Sequence, residues 1–386
     1  MANVLLGWEL GMGLWHARLL RQLGRGLREL GHTVTYAVAN PVDTWSVLGK
    51  ESATVLQAPI ALPRSRAAGD DFGAHTFADI LFEAGFYAPE VLSSLVGVWD
   101  GLISVTKPDL VICDHAPSLL VACHGRTPVV QVGLGFTQPP SSLNPIPSFV
   151  PPHDGSPQEI VALKSLQTVL SQRGHEPLST LASLYETSAR FVTTFAEFDP
   201  FSGLRKGPYI GPLDELPNPL SGPQIDGYFA YLSADIPAAV QFLRHLATSD
   251  CHGEVFLRGA HPNLVKELRS MGLSILDEPA SMETVLEKYA LVIHHGGVGT
   301  SQKAAAAGRP QLLLPWHLEQ AYNSAVLVEC GLGECIYGAQ SADETIQRLM
   351  SSESITNRAR SFAALIAARR NTHALETVLT RCQSLL

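Results

Sequence analysis

His16 and Asp114 are the residues best suited by type and position to move a proton. His16 stands where a segment containing Gly7, Gly11 and Gly13 gives way to a helical run, just after a short apolar stretch at 3–6. Asp114 closes a second apolar stretch at 110–113. Both positions are the carboxyl ends of predicted strands, where open α/β sheets bind ligands. A carboxylate on the far nitrogen of an imidazole fixes its tautomer and stabilises its charged form, so the two make a candidate general base and its orienting acid. Taken singly, each has a plainer role: a His at a helix start caps or faces solvent, and an Asp ahead of Pro117 and Ser118 caps a helix.

A second constellation occupies residues 294–333. The apolar run 290–293 breaks at His294-His295-Gly296-Gly297, and Val298-Gly299-Thr300 leads into an alanine-rich stretch that Gly308 and Pro310 stop. This predicts strand, glycine loop and helix, the helix covering 301–307 with Thr300 as its cap. Backbone N–H groups converge at such a loop with the positive end of the helix dipole behind them, which suits a phosphate. His295 is placed to add a charge-assisted hydrogen bond. A further apolar run, 311–314, is followed by Glu319 and Gln320. A carboxylate accepts from two hydroxyls and an amide both donates and accepts, so the pair suits neighbouring hydroxyls of a hexose. Ser233, after the apolar run 228–232, is a candidate phosphate contact.

The order HxGxGT, AxxxGxPxLxxP, Glu319-Gln320, Asn323 and Gly331-Leu332-Gly333 resembles the donor-binding signature of the family-1 nucleotide-sugar glycosyltransferases, and in particular their bacterial natural-product branch. The resemblance implies the GT-B architecture, an α/β chain with two Rossmann-like doubly wound parallel-sheet domains facing across a cleft. It implies that His16 is the general base, because His16 and the Gly31-His32 pair keep the family's sixteen-residue spacing, and that Asp114 is its partner. It assigns Ser233, His295, Gly296, Gly297, Gly299 and Thr300 to the donor diphosphate, and Glu319 and Gln320 to the donor sugar. The implied reaction is inverting and metal-independent, with a UDP- or dTDP-linked sugar as co-substrate, no other cofactor, and a small hydrophobic natural product as acceptor. Rival readings are a GT-B-like sugar-nucleotide epimerase and a catalytically silent nucleotide-sugar binder that assists another enzyme.

The chain also departs from the family. Its nucleoside-binding Trp, Gln and Glu fall on Pro279, Met282 and Lys303. An ammonium donates where the ribose hydroxyls need an acceptor, so a deoxyribose donor fits as well as a ribose one. Trp15 stands where the Gly before the base is usual, which narrows the acceptor pocket; Phe82 and Phe136 are further candidates for that pocket. The other aromatics nearby, Phe72, Phe77, Phe86 and Tyr87, read as core or pocket wall.

Length, composition and pattern set the frame. At 386 residues, with 46% hydrophobic and only 16% charged residues, the chain can bury two cores. Its expected plan is an acceptor-binding domain at 1–206, a proline- and glycine-rich linker at 207–224, and a nucleotide-sugar domain at 225–386 whose final helical stretch, by family resemblance, packs back on the first domain. In the first domain, Leu20, Leu23, Leu27 and Leu30 repeat at helical spacing opposite Arg18, Arg21, Arg25 and Arg28, with a strand at 33–38. Helices are expected at 159–173 and 178–188 and a strand at 191–195. A net charge of −9 argues against nucleic acid as a partner. No signal peptide, membrane span, CxxC pair or D-x-D motif is present, so the expectation is a cytoplasmic, metal-free monomer or homodimer.

Overall fold

The computed structural model of the chain describes residues 1–11, 13–61, 74–149, 155–222, 225–336 and 342–386, so Phe72 lies outside the described residues. Two compact units are present. One comprises Met1–Asp214 with Asn371–Leu386, the other Glu215–Arg370, and the break at 214/215 falls in the proline- and glycine-rich segment.

The first unit runs β1 (Asn3–Trp8), α1 (Trp15–Glu29), β2 (Thr33–Val38), α2 (Pro41–Leu48), β3 (Thr54–Gln57), α3 (Phe77–Leu81), α4 (Pro89–Thr106), β4 (Leu110–Asp114), α5 (Pro117–Cys123), β5 (Val129–Gly133), α6 (Pro157–Gln172) and β6 (Ala189–Val192). The second runs β7 (Ile225–Ser233), α7 (Pro237–Leu246), β8 (Gly253–Arg258), α8 (Pro262–Ser270), β9 (Ser274–Ile275), α9 (Met282–Lys288), β10 (Tyr289–His294), α10 (Val298–Ala307), β11 (Gln311–Leu313), α11 (Leu318–Glu329), β12 (Gly333–Cys335), α12 (Ala342–Ser351) and α13 (Glu353–Arg369). The last helix, α14 (Ala374–Leu385), belongs again to the first unit.

Every strand pair is parallel, and the sheet orders are β3-β2-β1-β4-β5-β6 and β12-β11-β10-β7-β8-β9. Each sheet therefore reverses direction once, between β1 and β4 in the first and between β7 and β10 in the second. Crossover helices cover both faces of such sheets, which is why β4 and β5 are buried at every position, and β1 at every position after Asn3, rather than at alternate ones.

Helix α1 buries Leu19, Leu20, Leu23 and Leu27 against the sheet. Leu30 lies past the helix end and is 43% exposed, so Leu19 takes the place that periodicity alone gives it. Two of the opposite-face arginines, Arg21 and Arg28, both pair with Glu51. The same side of the sheet receives Ala374, Val378 and Cys382 of α14, all buried. Residues 178–188 do not form the expected α-helix. Only a 3₁₀ turn, Ala182–Tyr185, is present, because the Thr180 hydroxyl accepts the Ser183 N–H and competes with the helical ladder. The strand that follows is Ala189–Val192 rather than 191–195.

Candidate active site

In the first unit the chemistry gathers at the sheet's reversal. Trp8 of β1 is in register with Asp114 of β4, so the two strand ends lie side by side. His16, the second residue of α1, reaches back over them, and its Nδ1 lies 2.7 Å from Asp114 Oδ2. Both side chains are buried, His16 at 3% and Asp114 at 0% exposure. The imidazole is held on three sides. It stacks on Trp8 with ring centroids 4.9 Å apart, meets the Trp15 edge at 5.1 Å, and turns Nε2 toward the backbone of Gly11. A Cβ at residue 11 would fall 2.8 Å from that nitrogen, and φ there is +91°, so only glycine fits.

Burial raises the Asp114 carboxyl and the His16 imidazole opposes the rise. Its other oxygen, Oδ1, has no partner among the described residues, and Gly133 passes so close that a Cβ there would meet it at 2.8 Å. Beyond His16 stands His115, its ring 6.3 Å away and its φ at the unusual value of 44°. Burial, and next the neighbouring His16, push it down to about 3, so it stays neutral.

The three candidate acceptor-pocket aromatics are placed differently. Trp15 is half-buried beside His16. Phe82 is half-buried in a π-helical turn and faces Tyr87 at 5.9 Å. Phe136 is only 4% exposed and stacks on Phe149 at 4.5 Å, which makes it a packing residue.

The second unit repeats the logic at its own reversal. Ser233 ends β7 and His294 ends β10, the strand beside it. His294 is buried, donates through Nε2 to Gln311 Oε1 at 2.9 Å, and accepts the Gly296 N–H on Nδ1 at 3.0 Å. Burial pushes it down to about 4, so it remains the neutral imidazole this geometry needs. Asn323 of α11 adds a hydrogen bond to the Gly296 carbonyl at 3.2 Å. Gly296 itself has φ +81°, and a Cβ there would meet the Ser324 hydroxyl at 2.4 Å. The glycine loop is thus tied down from two sides.

Helix α10 starts earlier than the sequence pattern suggests. Its N-cap is Gly297, with no side-chain cap, and Thr300 lies inside the first turn. The first intrahelical bond runs from the Ser301 N–H to the Gly297 carbonyl, leaving the N–H groups of Val298, Gly299 and Thr300 without intrahelical acceptors at the positive end of the helix. Such an end binds anions.

His295 does not have the expected role. Its Nδ1 donates to the Leu314 carbonyl at 2.8 Å and its Nε2 accepts the Ser233 N–H at 3.0 Å, so neither nitrogen carries a hydrogen toward a ligand. Burial, and less strongly Arg258, lower it further from the charged form. His295 braces two loops. The cation at this place is Arg258, whose Nη2 donates to the Ser233 hydroxyl at 3.2 Å; that hydroxyl also donates to Asp235. Arg258 ends β8 as Asp114 ends β4, and the strand-end rule was the signal that could have found it.

Glu319 and Gln320 lie half-buried in the first turn of α11. Gln320 Oε1 accepts the Trp316 N–H at 3.2 Å, which leaves its amide N–H groups for a ligand. Of the three nucleoside candidates, Pro279 is exposed, Met282 packs against apolar neighbours including Leu286 and Val285, and Lys303 is half-buried on α10. Among the described residues no group of three His, Cys, Asp or Glu side chains is placed to hold a metal, and no single helix is long and apolar enough to cross a membrane.

No protein-family model matches the chain. Among curated proteins, it is 45% identical to the vancomycin aglycone glucosyltransferase of Amycolatopsis orientalis over 51 residues, 13% of this chain and 12% of that protein. To the elloramycin glycosyltransferase ElmGT of Streptomyces olivaceus it is 28% identical over 243 residues, 59% of this chain and 56% of the relative. The chain thus spans about an eighth of the first relative and about half of the second. Among solved structures, the spinosyn rhamnosyltransferase SpnG complexed with thymidine diphosphate superposes with a TM-score of 0.67 at 18% identity, covering 98% of this chain and 100% of that one. By fold the chain is a GT-B protein, and its sequence is similar to the natural-product glycosyltransferases.

Proposed function

We propose that this chain is an inverting, metal-independent glycosyltransferase that moves a sugar from a dTDP- or UDP-linked donor to a hydroxyl of a small hydrophobic natural product. The observation that carries the reading is the buried His16–Asp114 contact of 2.7 Å at the reversal of a parallel sheet. In the proposed step the acceptor O–H gives its proton to His16 Nε2 while its oxygen attacks the anomeric carbon from the face opposite the diphosphate. The bond from that carbon to the diphosphate breaks, its electron pair leaves on phosphate oxygen, and the anomeric configuration inverts. Asp114 holds the Nδ1–H side of the ring and stabilises the imidazolium that forms.

The charge that develops on the leaving diphosphate is met by the N–H groups of Val298, Gly299 and Thr300, by the dipole of α10 and by the Arg258 guanidinium. Fixed dipoles of this kind contribute roughly 3–4 kcal/mol per donor elsewhere. Glu319 and the amide of Gln320 hold the sugar. The thymidine diphosphate bound by SpnG supports a dTDP-linked donor, as does Lys303, which offers no acceptor for a ribose 2′-hydroxyl.

The test is incubation with dTDP- and UDP-glucose, each with and without a panel of phenolic and macrolide acceptors, following nucleotide release and the anomeric proton by NMR. Acceptor-dependent release with inversion is expected, and His16→Ala lowers it by about 10² or more. Near-normal turnover in that variant removes His16 from the mechanism, and equal consumption without acceptor points to an epimerase. The unusual Pro279, Met282 and Lys303 favour one second reading, a silent nucleotide-sugar binder, which predicts a thermal shift with dTDP and no turnover.

A further inference from the structure

His115 follows Asp114 at the end of β4, and its backbone turns at once into the left-handed region with φ +44°. Lys107 is the other non-glycine residue with positive φ among the described residues, and it caps the end of α4, where such a turn is ordinary. His115 ends no helix. A residue kept in that region is kept by its surroundings, and such places gather at functional sites. Two contacts fix this one. The His115 carbonyl accepts the Leu10 N–H at 2.9 Å, which ties the turn to the glycine segment after β1, and Phe77 lies beside the ring with centroids 6.0 Å apart.

The turn brings a second imidazole to the candidate base. The His16 and His115 rings lie 6.3 Å apart, tilted by 35°, so a gap separates them. Gly11 borders that gap. The place that a Cβ at residue 11 would take is 2.8 Å from His16 Nε2 and 3.6 Å from His115 Nδ1, and glycine leaves it empty. The two nitrogens differ in what they offer. Asp114 holds the Nδ1 side of His16, so that ring carries its proton there and Nε2 presents a lone pair. His115 is the reverse. Its Nε2 is buried without a partner among the described residues, and a bare lone pair costs less to bury alone than an N–H, so the ring proton belongs on Nδ1. The ring stays neutral, since burial first and His16 next hold it down to about 3.

We infer that His115 is a second catalytic residue of the first unit, donating its Nδ1–H to the acceptor oxygen while that oxygen gives its proton to His16 Nε2. This rests on the reading of His16 as general base. A hydroxyl suits both nitrogens because it donates once and accepts twice. A carboxylate has no proton for His16, and an ammonium has no lone pair for His115. Of the four directions about the acceptor oxygen, one is its own carbon, one points to His16 and one to His115, which leaves the last lone pair for the anomeric carbon. His115 loses no proton. The O–H bond breaks toward Nε2, the bond from oxygen to the anomeric carbon forms as the diphosphate leaves, and the second imidazole orients the nucleophile.

NMR of the full chain carrying isotope-labelled histidine reads the ring nitrogens directly, with His16→Asn and His115→Asn assigning the two rings by loss of their signals. At pH 7 the His115 ring is expected as the neutral tautomer protonated on Nδ1, and phenol is expected to move that nitrogen and His16 Nε2 together. A proton on Nε2 of His115, or phenol that moves only one of the two nitrogens or neither, overturns the inference. In turnover, His115→Phe keeps a ring without the donor and is expected to lower kcat about tenfold, with donor KM and the dTDP-induced thermal shift unchanged. Asparagine sets an amide N–H at the Nδ1 place and tolerates the left-handed turn, so His115→Asn is expected to keep kcat within about threefold of the wild type. Wild-type kcat in His115→Phe, or an equal fall in both variants, also overturns the inference. Should His115→Phe fail to fold, the ring signals of the wild type still decide. Paired movement of the two nitrogens without any sugar transfer would leave the shared hydroxyl place standing and sink the glycosyltransferase reading, and transfer without that movement would do the reverse.

Discussion

The proton chemistry assigned to His16 depends on one oxygen of Asp114, and that dependence is open to measurement. Asparagine in place of Asp114 keeps the size of the group but removes the charge, and can present an amide N–H to Nδ1. Asp114→Asn is expected to lower kcat by about 10²–10³ with little change in donor KM, because the imidazolium loses its carboxylate and the tautomer is no longer fixed. A fall in donor affinity with kcat preserved would place Asp114 outside the proton path.

Glu9 gives a second prediction, on stability. An acid whose folded value is raised holds a proton that the unfolded chain has released, so stability falls as pH rises between the ordinary 4.5 and about 7. For a group 4% exposed the loss is on the order of 3 kcal/mol across that window. Urea unfolding at pH 5 and pH 8 is expected to show this decline in the wild type and a smaller one in Glu9→Gln. An unchanged pH dependence in the variant would assign the decline to other groups.

The difference between what residue types announce and what only packing creates is plain at these positions. His16, Asp114 and the glycine loop stand at strand ends, and strand ends are legible because apolar runs stop there. Glu9 stands at a strand end too, but nothing in its neighbours says that α4 and α5 will close over it. His295 is legible as a histidine beside a glycine loop and illegible as a brace, because the two groups that occupy its nitrogens, Ser233 and Leu314, lie 62 and 19 residues away. The start of α10 was hidden for a related reason. Thr300 is the usual kind of cap, but the chain enters the helix at Gly297, fixed from outside by His294 and Asn323.

At the scale of elements, the loop between β10 and α10 is held by α11, and the closeness of the two is a hazard. A methyl group on residue 296 meets Ser324 and the Gln320 carbonyl, at 2.4 and 2.9 Å, in a backbone conformation with φ +81° that L residues avoid. Gly296→Ala is expected to push the loop away from α11, misdirect the N–H groups of the first turn of α10 and weaken dTDP binding by about tenfold or more, readable by calorimetry. Affinity equal to that of the wild type would mean that the first turn of α10 does not hold the diphosphate. By contrast Gly97 and Gly101 on α4 have open space around their Cβ positions, so alanine there is expected to be neutral or slightly stabilising.

At the scale of the molecule, the two parallel sheets are legible from alternating apolar runs and helical stretches, and the place of the reversal in each is not. Order within a sheet depends on which crossover goes to which side, and that is decided by packing of whole helices. The return of α14 is similar. Its apolar positions, Ala374, Val378 and Cys382, match the spacing of any amphipathic helix, so the expected return to the first domain came from the family resemblance alone, and the structure adds that they complete the core beneath α1. Val378 is fully buried there. Val378→Asp is expected to destabilise the first unit by about 3 kcal/mol or more, as an unpaired buried charge does. The dTDP-induced shift of the second unit is expected to persist, so that calorimetry separates the two transitions. A single transition that moves as a whole would show that the two units unfold as one.

The path of the chain through its units sets an order of manufacture. Synthesis runs through Met1–Asp214 and then through the whole of Glu215–Arg370 before it supplies Asn371–Leu386. The second unit is therefore contiguous and can fold as soon as it leaves the ribosome, while the first waits with the α1 face of its sheet missing one helix. During that interval apolar residues that α14 later covers, among them the surroundings of Gly26 against which Leu379 packs, face water or a chaperone. The candidate base at His16 is consequently encoded early and placed on a finished core last.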